Sequence, residues 1–382
     1  MKGFMILLFT ICVTSTTFAQ RALKLNNAIL LEYYQNQKFA EAADYLKKTY
    51  QEPVIDVKAL SQLAYTSNMA GRLTDAEAYY QRIYSIDSTN TGVLFSLGSI
   101  NLRRGNNIKA ENYYRQIIAR DSTNFMVYKQ LAKLSDGRND IPNRIAYLQK
   151  ANQLNPTEPD VASDLSNLYV AIKLTQQAEK VLSKAIEADQ ENIVLLNSLI
   201  KLQYAQKKWP ETIATGLKLV QNGDNSGEVL SKVGIAYYNI KNYECALAAL
   251  LGIDKIAQNE TSYYFTALAY KALKDQHMAI LFLEQALKDG ITPNAGAYYG
   301  EIADSNEKLK RYISAVKSYQ KGLQFEESPM MYYALANVYD TYLKDKKNAV
   351  KYYKKYLSGK PPVEKQQAYI DYSKSRIVIL GK

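Results

Sequence analysis

The sequence predicts an all-α solenoid, an array of about ten stacked helix pairs closed by a C-terminal capping helix, and three observations carry that prediction. A pattern recurs at a fixed period of 34 residues: Leu63-Ala64 returns as Leu97-Gly98, Ala76 as Ala110, Tyr79-Tyr80 as Tyr113-Tyr114, and Asp87-Ser88-Thr89-Asn90 as Asp121-Ser122-Thr123-Asn124. Small residues stand where two helices must approach closely, with larger apolar residues beside them to interdigitate. The composition, 47% hydrophobic and 22% charged, is that of a packed chain rather than a disordered one. At 382 residues a single compact core would be stretched, whereas a repeat array grows along one axis.

The chain opens with Lys2, an apolar run from Phe4 to Val13, and Thr17-Phe18-Ala19 ahead of Gln20. That order reads as a secretory signal peptide over 1–19, cut after Ala19. The apolar run is far shorter than the roughly 20 residues a membrane span needs. Cys12 lies inside it, and the preceding Phe9-Thr10-Ile11 does not match a lipidation signal. The mature chain is therefore expected in the periplasm or outside the cell. It would retain Cys245 and no intramolecular disulfide.

The repeats follow directly. A first unit, 23–56, has Tyr33, Ala42 and Leu46 in register, with Leu30 where a small residue is usual. Units 57–90 and 91–124 are the two best copies. Unit 125–158 keeps Leu131-Ala132, Ala151 and Pro156 but places Arg144 at a small position. Unit 159–192 has Leu165, Tyr169, Ala178 and Ala185. Unit 193–226 departs most, with Ile200, Thr212 and Gly216 where small, small and bulky residues are expected, and Trp209-Pro210 opening its second helix. Units 227–259, 260–293, 296–329 and 330–360 restore the pattern, the last with one extra residue assigned to its Asp345–Asn348 turn. Pro361-Pro362 ends the array, and 361–382 reads as a helix that covers the last apolar face.

These units resemble tetratricopeptide repeats over about 23–360. Small or apolar residues recur near positions 4, 7, 8 and 11 of the first helix and 20, 24 and 27 of the second. The resemblance implies a right-handed α-solenoid whose first helices line a concave groove, with positions 2, 5, 9 and 12 pointing into it. Read here, those positions supply Lys24, Tyr34, Lys58, Tyr65, Lys129, Lys133, Lys201, Tyr204, Tyr238, Tyr264 and Tyr333, with Arg103 next to the set. Asp136 and Asp160 oppose the lysines, and Asp304, Glu307 and Asp340 make the C-terminal half more acidic. Some relatives clamp a terminal carboxylate with Lys and Asn; here Lys129 is followed by Lys133, which departs from that set.

The expected function is an exported, non-enzymatic scaffold that holds a protein or peptide in the groove, in envelope assembly or secretion. Thirty-three tyrosines suit that role, because a Tyr ring packs while its hydroxyl stays available for backbone groups. The alternative is a carbohydrate-binding or polysaccharide-export accessory module that stacks sugars on the same tyrosines. A second surface, the basic C-terminal face of Lys344, Lys346, Lys347, Lys351, Lys354 and Lys355, would give peripheral contact with an anionic membrane or an acidic protein. No nucleic-acid partner is expected, since the net charge of +11 is spread along the chain.

Catalysis, cofactors and metals are not expected. His277, the single histidine, is read as a solvated residue in the turn between two helices. HExxH and CxxC spacings, a GxSxG elbow and a phosphate-binding glycine loop are absent from the sequence. Asn222 to Gly227 suggests a calcium loop, but Val233 stands where the closing carboxylate belongs, so it reads as an inter-repeat turn. Trp209 is read as a plug between repeats.

Overall fold

The computed structural model describes residues 25–289 and 292–381. The signal peptide over 1–19 and Lys24 lie outside them. All regular structure among the described residues is helical, and none of these helices is long and apolar enough to cross a membrane. The chain divides into two compact units, up to Asn155 and from Pro156.

The first unit holds four helix pairs: α1 (Asn27–Gln35) with α2 (Phe39–Thr49), α3 (Val57–Met69) with α4 (Leu73–Ile86), α5 (Thr91–Arg103) with α6 (Asn107–Arg120), and α7 (Phe125–Asp136) with α8 (Ile141–Leu154). The second holds six pairs and a terminal helix. They are α9 (Pro159–Ala171) and α10 (Thr175–Ala188), α11 (Ile193–Ala205) and α12 (Trp209–Gln221), and α13 (Gly227–Asn239) and α14 (Tyr243–Leu251). There follow α15 (Glu260–Ala272) and α16 (Gln276–Lys288), α17 (Ala295–Lys308) and α18 (Tyr312–Phe325), α19 (Pro329–Asn337) and α20 (Lys346–Ser358), and α21 (Val363–Leu380).

The recurring tetrapeptide explains how one pair hands over to the next. Asp87 accepts from the Thr89 N–H (2.8 Å) and the Thr89 hydroxyl (2.6 Å), and Asn90 then caps α5 through the Val93 N–H (3.1 Å). Asp121, Thr123 and Asn124 repeat the arrangement at the start of α7. A helix start leaves unpaired N–H groups, and an Asn or Asp cap is worth about 1 kcal/mol. Within each pair the turn is tighter. The Arg72, Asn106 and Leu174 N–H groups reach back five residues to Ser67, Asn101 and Tyr169 carbonyls at 2.7–2.8 Å. The residue just before the donor takes a positive φ in all three cases: Gly71, Gly105 and Lys173.

Between the helices, the small positions do the work the repeat assigns them. Ala64, Ala76, Ala110, Ala178 and Ala279 are fully buried. At Gly98 an added Cβ would lie 2.6 Å from the Tyr114 ring, which is itself fully buried. Leu63, Leu97, Leu131 and Leu165 fill the spaces between successive helices in each unit. Gly216, expected to be bulky, is small because Val233 occupies its place; a Cβ there would lie 2.2 Å from Val233 Cγ2 and 3.1 Å from Ile200 Cδ1. Thr212 is buried with its hydroxyl donating to the Lys208 carbonyl at 2.7 Å. Arg144, expected small, turns over the helix end to pair with Asp136.

Two local expectations are corrected. The extra residue of the last pair lies inside the first helix, where Val338–Tyr342 forms a π-turn that follows α19 directly. The Asp345 N–H consequently reaches back six residues, to Tyr339, where other pairs span five. His277 belongs to the first turn of α16 rather than to the preceding turn, and it is exposed.

Candidate binding groove

In the second unit the first helices also touch one another: α9 packs on α11, α11 on α13, and α13 on α15. They form a continuous face, and the helical period brings one stripe of each to it. Tyr204 on α11 meets Trp209 edge-on at 5.7 Å, and the Lys232 ammonium of α13 lies 5.9 Å from the Tyr204 ring centre. Lys201 (3.3 Å) and Lys232 (2.9 Å) both pair with Glu228. Burial raises the Glu228 pKa, but the two ammonium groups outweigh it and hold the carboxylate below its ordinary range. A cavity of about 410 Å³ opens here, lined by Tyr204, Glu228, Ser231, Lys232, Asn259 and Thr261 among others.

Thr261 also borders the next hollow, of about 300 Å³, with Glu260, Tyr264, Phe265, Asn294 and Tyr298. Tyr238 sets its ring edge-on to Phe265 (5.4 Å), Phe265 edge-on to Tyr264 (5.6 Å), and Tyr264 stacks on Tyr298 (4.8 Å). Glu260 accepts from the Asn294 amide (2.9 Å), the Thr292 hydroxyl (2.6 Å) and the Tyr298 hydroxyl (2.5 Å), which together lower its pKa. Lys271 lies between Glu301 and Asp304. Burial opposes its charge, yet the bonds it donates to Asp304 and Glu301 prevail and raise its pKa above the usual lysine value. The face therefore alternates half-buried rings with paired charges.

In the first unit, Tyr34 and Tyr65 come together edge-on at 6.1 Å, with Phe39 5.9 Å from Tyr34. The Tyr34 hydroxyl shares a 2.7 Å hydrogen bond with Thr66 Oγ1. Arg103 donates to Asn68 at 2.8 Å. Lys58 is exposed on α3; Lys129 is half-buried and Lys133 exposed, one turn apart on α7.

Three candidates are placed elsewhere, and a fourth, Asp304, stays on the face as the partner of Lys271. Tyr333 is enclosed by Tyr353, Tyr356, Tyr369 and Tyr372, so α21 covers the ring that was assigned to the groove. Asp340 is buried because the π-turn rotates it inward, where Arg376 Nε and Nη2 each donate to it at 2.6 Å. Glu307 is half-buried and accepts from the Tyr319 hydroxyl (2.6 Å), while Asp304 is held by Lys271 and Lys308. Asp340 and Glu307 are drawn away from the groove and Asp304 is neutralised there by Lys271 and Lys308, so the expected acidic end is weakened. The six basic residues Lys344, Lys346, Lys347, Lys351, Lys354 and Lys355 are exposed and form no ion pair among the described residues. Lys351 and Lys355 lie 5.1 Å from the Tyr352 and Tyr332 ring centres.

Phe265, Lys232, Lys271 and Tyr298 complete the face and were not among the candidates. Lys271 falls on the positional rule, and Tyr298 lies 34 residues beyond Tyr264. Counting its unit from 296 moved Tyr298 off the rule.

Family models described as "Tetratricopeptide repeat" match residues 27–91, 145–211, 260–288 and 331–361, together about half the chain. No curated protein matches. Among solved structures, a tetratricopeptide repeat protein from Parabacteroides merdae is 15% identical, with 65% of this chain and 98% of that one covered at a TM-score of 0.45. The C-terminal part of a TPR repeat-containing protein from Cytophaga hutchinsonii is 18% identical, with 70% and 96% covered and a TM-score of 0.47. YrrB, described as a TPR protein with an unusual peptide-binding site, is 12% identical, with 53% and 96% covered and a TM-score of 0.42. With its 34-residue register, its all-helical pairs and these family matches, the chain belongs to the tetratricopeptide repeat family.

Proposed function

We propose that this chain is an exported scaffold and that it holds an extended segment of a protein partner across α11, α13, α15 and α17, serving assembly or secretion at the cell envelope. The carrying observation is the alternation along that face: Tyr204 beside Lys232, then Tyr238, Phe265 and Tyr264 beside Lys271. Such a face offers rings for side chains and polar groups for a peptide backbone. A sugar would favour flat, exposed ring faces. Here Tyr264 is already stacked on Tyr298, and its neighbours meet edge-on, which supports a peptide. Export rests on the leader, and cleavage after Ala19 is checked by N-terminal sequencing of the protein recovered from the envelope fraction.

The binding test begins with peptides selected on the immobilised mature chain and titrated against it. A Tyr204→Ala/Tyr238→Ala variant is expected to lose at least about tenfold in affinity, as central aromatic contacts usually carry more than 1 kcal/mol each. Equal affinity in a variant that remains helical would refute this site.

A further inference from the structure

We propose that the edge of the second unit formed by the turns within its helix pairs is a docking surface for an anionic lipid bilayer. The six turns carry Lys173, Lys207, Lys241, Lys274, Lys310 and Lys344, all with φ between 55° and 67°. A side chain in this left-handed region costs energy that glycine avoids. The equivalent turns of the first unit use Gln37, Gly71, Gly105 and Asn139, and three of those four are residue types suited to the conformation. Lysine thus recurs six times at a position where the backbone disfavours it. The turn needs no lysine, so the explanation lies in what the ammonium group does.

All six lysines are exposed, and none forms an ion pair among the described residues. The neighbouring acids are largely engaged. Asp275 and Asp345 cap α16 and α20 through the Met278 and Asn348 N–H groups, both at 3.0 Å. Glu179 holds Lys208 at 3.1 Å, and Asp340, beside Lys344, is taken by Arg376. Glu211 and Glu244, in the first turns of α12 and α14, are exposed acids near the row with no ion pair among the described residues. Because helices of successive pairs run in the same sense, the six turns share one edge. Where first helices touch, neighbouring lysines are about 10 Å apart. At its end, Lys344 runs into the exposed lysines of α20.

A second feature distinguishes a bilayer from a soluble polyanion. Apolar side chains stand exposed next to the lysines: Ile172 (44%), Leu174 (39%), Ile240 (44%) and Leu273 (38%). The residues preceding the equivalent positive-φ residues of the first unit are Asn36, Ala70, Arg104 and Arg138, with no large apolar group among them. Alternating ammonium and aliphatic groups suit the headgroup boundary, where the apolar tips enter and the lysine stems reach outward to the phosphates. Lysine, a compact and strongly hydrated charge, suits this diffuse attraction better than a bidentate contact.

The test is co-sedimentation of the full chain with vesicles of equimolar phosphatidylcholine and phosphatidylglycerol, against phosphatidylcholine alone. Binding is expected to the anionic vesicles only and to weaken with salt. Each lysine near such a surface contributes roughly fivefold, so Lys207→Gly/Lys241→Gly/Lys274→Gly should lose about a hundredfold. Glycine suits the φ of these turns, so the melting temperature should stay level or rise, which separates lost binding from lost folding. Replacement of the same lysines by arginine should retain binding. Ile172→Ser/Ile240→Ser/Leu273→Ser should also weaken it. Equal binding by the triple glycine variant, or equal sedimentation with neutral vesicles, overturns the proposal. So does full retention in the serine variant, which would assign the row to a soluble polyanion.

Discussion

Asp340→Asn should release the end of the array without disturbing its beginning. In the native chain the carboxylate side chain is 3% exposed and accepts two charge-assisted bonds of 2.6 Å from Arg376, with the Tyr353 hydroxyl at 3.3 Å. Asparagine keeps the shape but turns an amide N–H₂ toward the guanidinium and removes the charge. Hydrogen bonds to charged groups are worth about 1.5–3 kcal/mol, and breaking a buried pair costs about 3–5 kcal/mol. Arg376 is 27% exposed and can take up water once freed, which favours the lower range; the expected loss is about 2 kcal/mol. In a repeat array each unit is stabilised by its neighbours, so the loss should be local. Hydrogen exchange is the assay. Protection should fall by that amount in α19 to α21 and remain unchanged in α1 to α8. A uniform loss, or one below about 0.5 kcal/mol at α21, would refute the reasoning. The same bond gives a pH signature. Arg376, above all, lowers the Asp340 pKa in the folded state, so its stabilisation is present above the ordinary aspartate value. It is lost as the pH falls through the depressed folded value, and α21 should then become protease-sensitive.

Two further outcomes test the packing and the buried acids. Gly98→Ala gains about 1 kcal/mol in helix propensity but drives a methyl into the Tyr114 ring, an overpacking cost of about 1–3 kcal/mol, so a net loss of about 1 kcal/mol is expected in urea melts. Glu307→Gln keeps the acceptor for Tyr319 while removing a charge whose pKa is raised, chiefly by burial. A raised folded pKa means that the wild type loses stability as pH rises from the ordinary glutamate value through the folded one. Paired thermal melts should therefore coincide near pH 4 and favour the variant near pH 7.

The sequence made the helix pairs legible because most pairs repeat the same solution. A period, a small residue opposite a large one, and an Asp-Ser-Thr-Asn hand-over each recur, so an error in one copy is corrected by the next. The groove was only partly legible. Tyr204, Tyr238 and Tyr264 lie on the common face, whereas Tyr333, assigned to the same face, is covered by α21. A rule drawn from internal repeats fails at the last one, where a different neighbour packs. Asp340 was misassigned for a related reason. One residue inserted within a helix turns everything after it by about 100°, and the insertion could be placed in the turn or the helix with equal economy. The lysine row was visible in principle, as Lys recurring where Gly71 and Gly105 stand, but its meaning depends on the backbone angle at that position.

The position of Trp209 has a practical consequence. It is the single tryptophan among thirty-three tyrosines, and its ring lies 5.7 Å from Tyr204 at the margin of the first hollow. Excited at a wavelength the tyrosines do not absorb, this indole is the chain's one tryptophan emitter, so its emission reports from one place. A segment entering beside Tyr204 would change the solvent around that ring and shift its emission. The chain thus carries its own optical gauge of groove occupancy, and binding can be followed without a label.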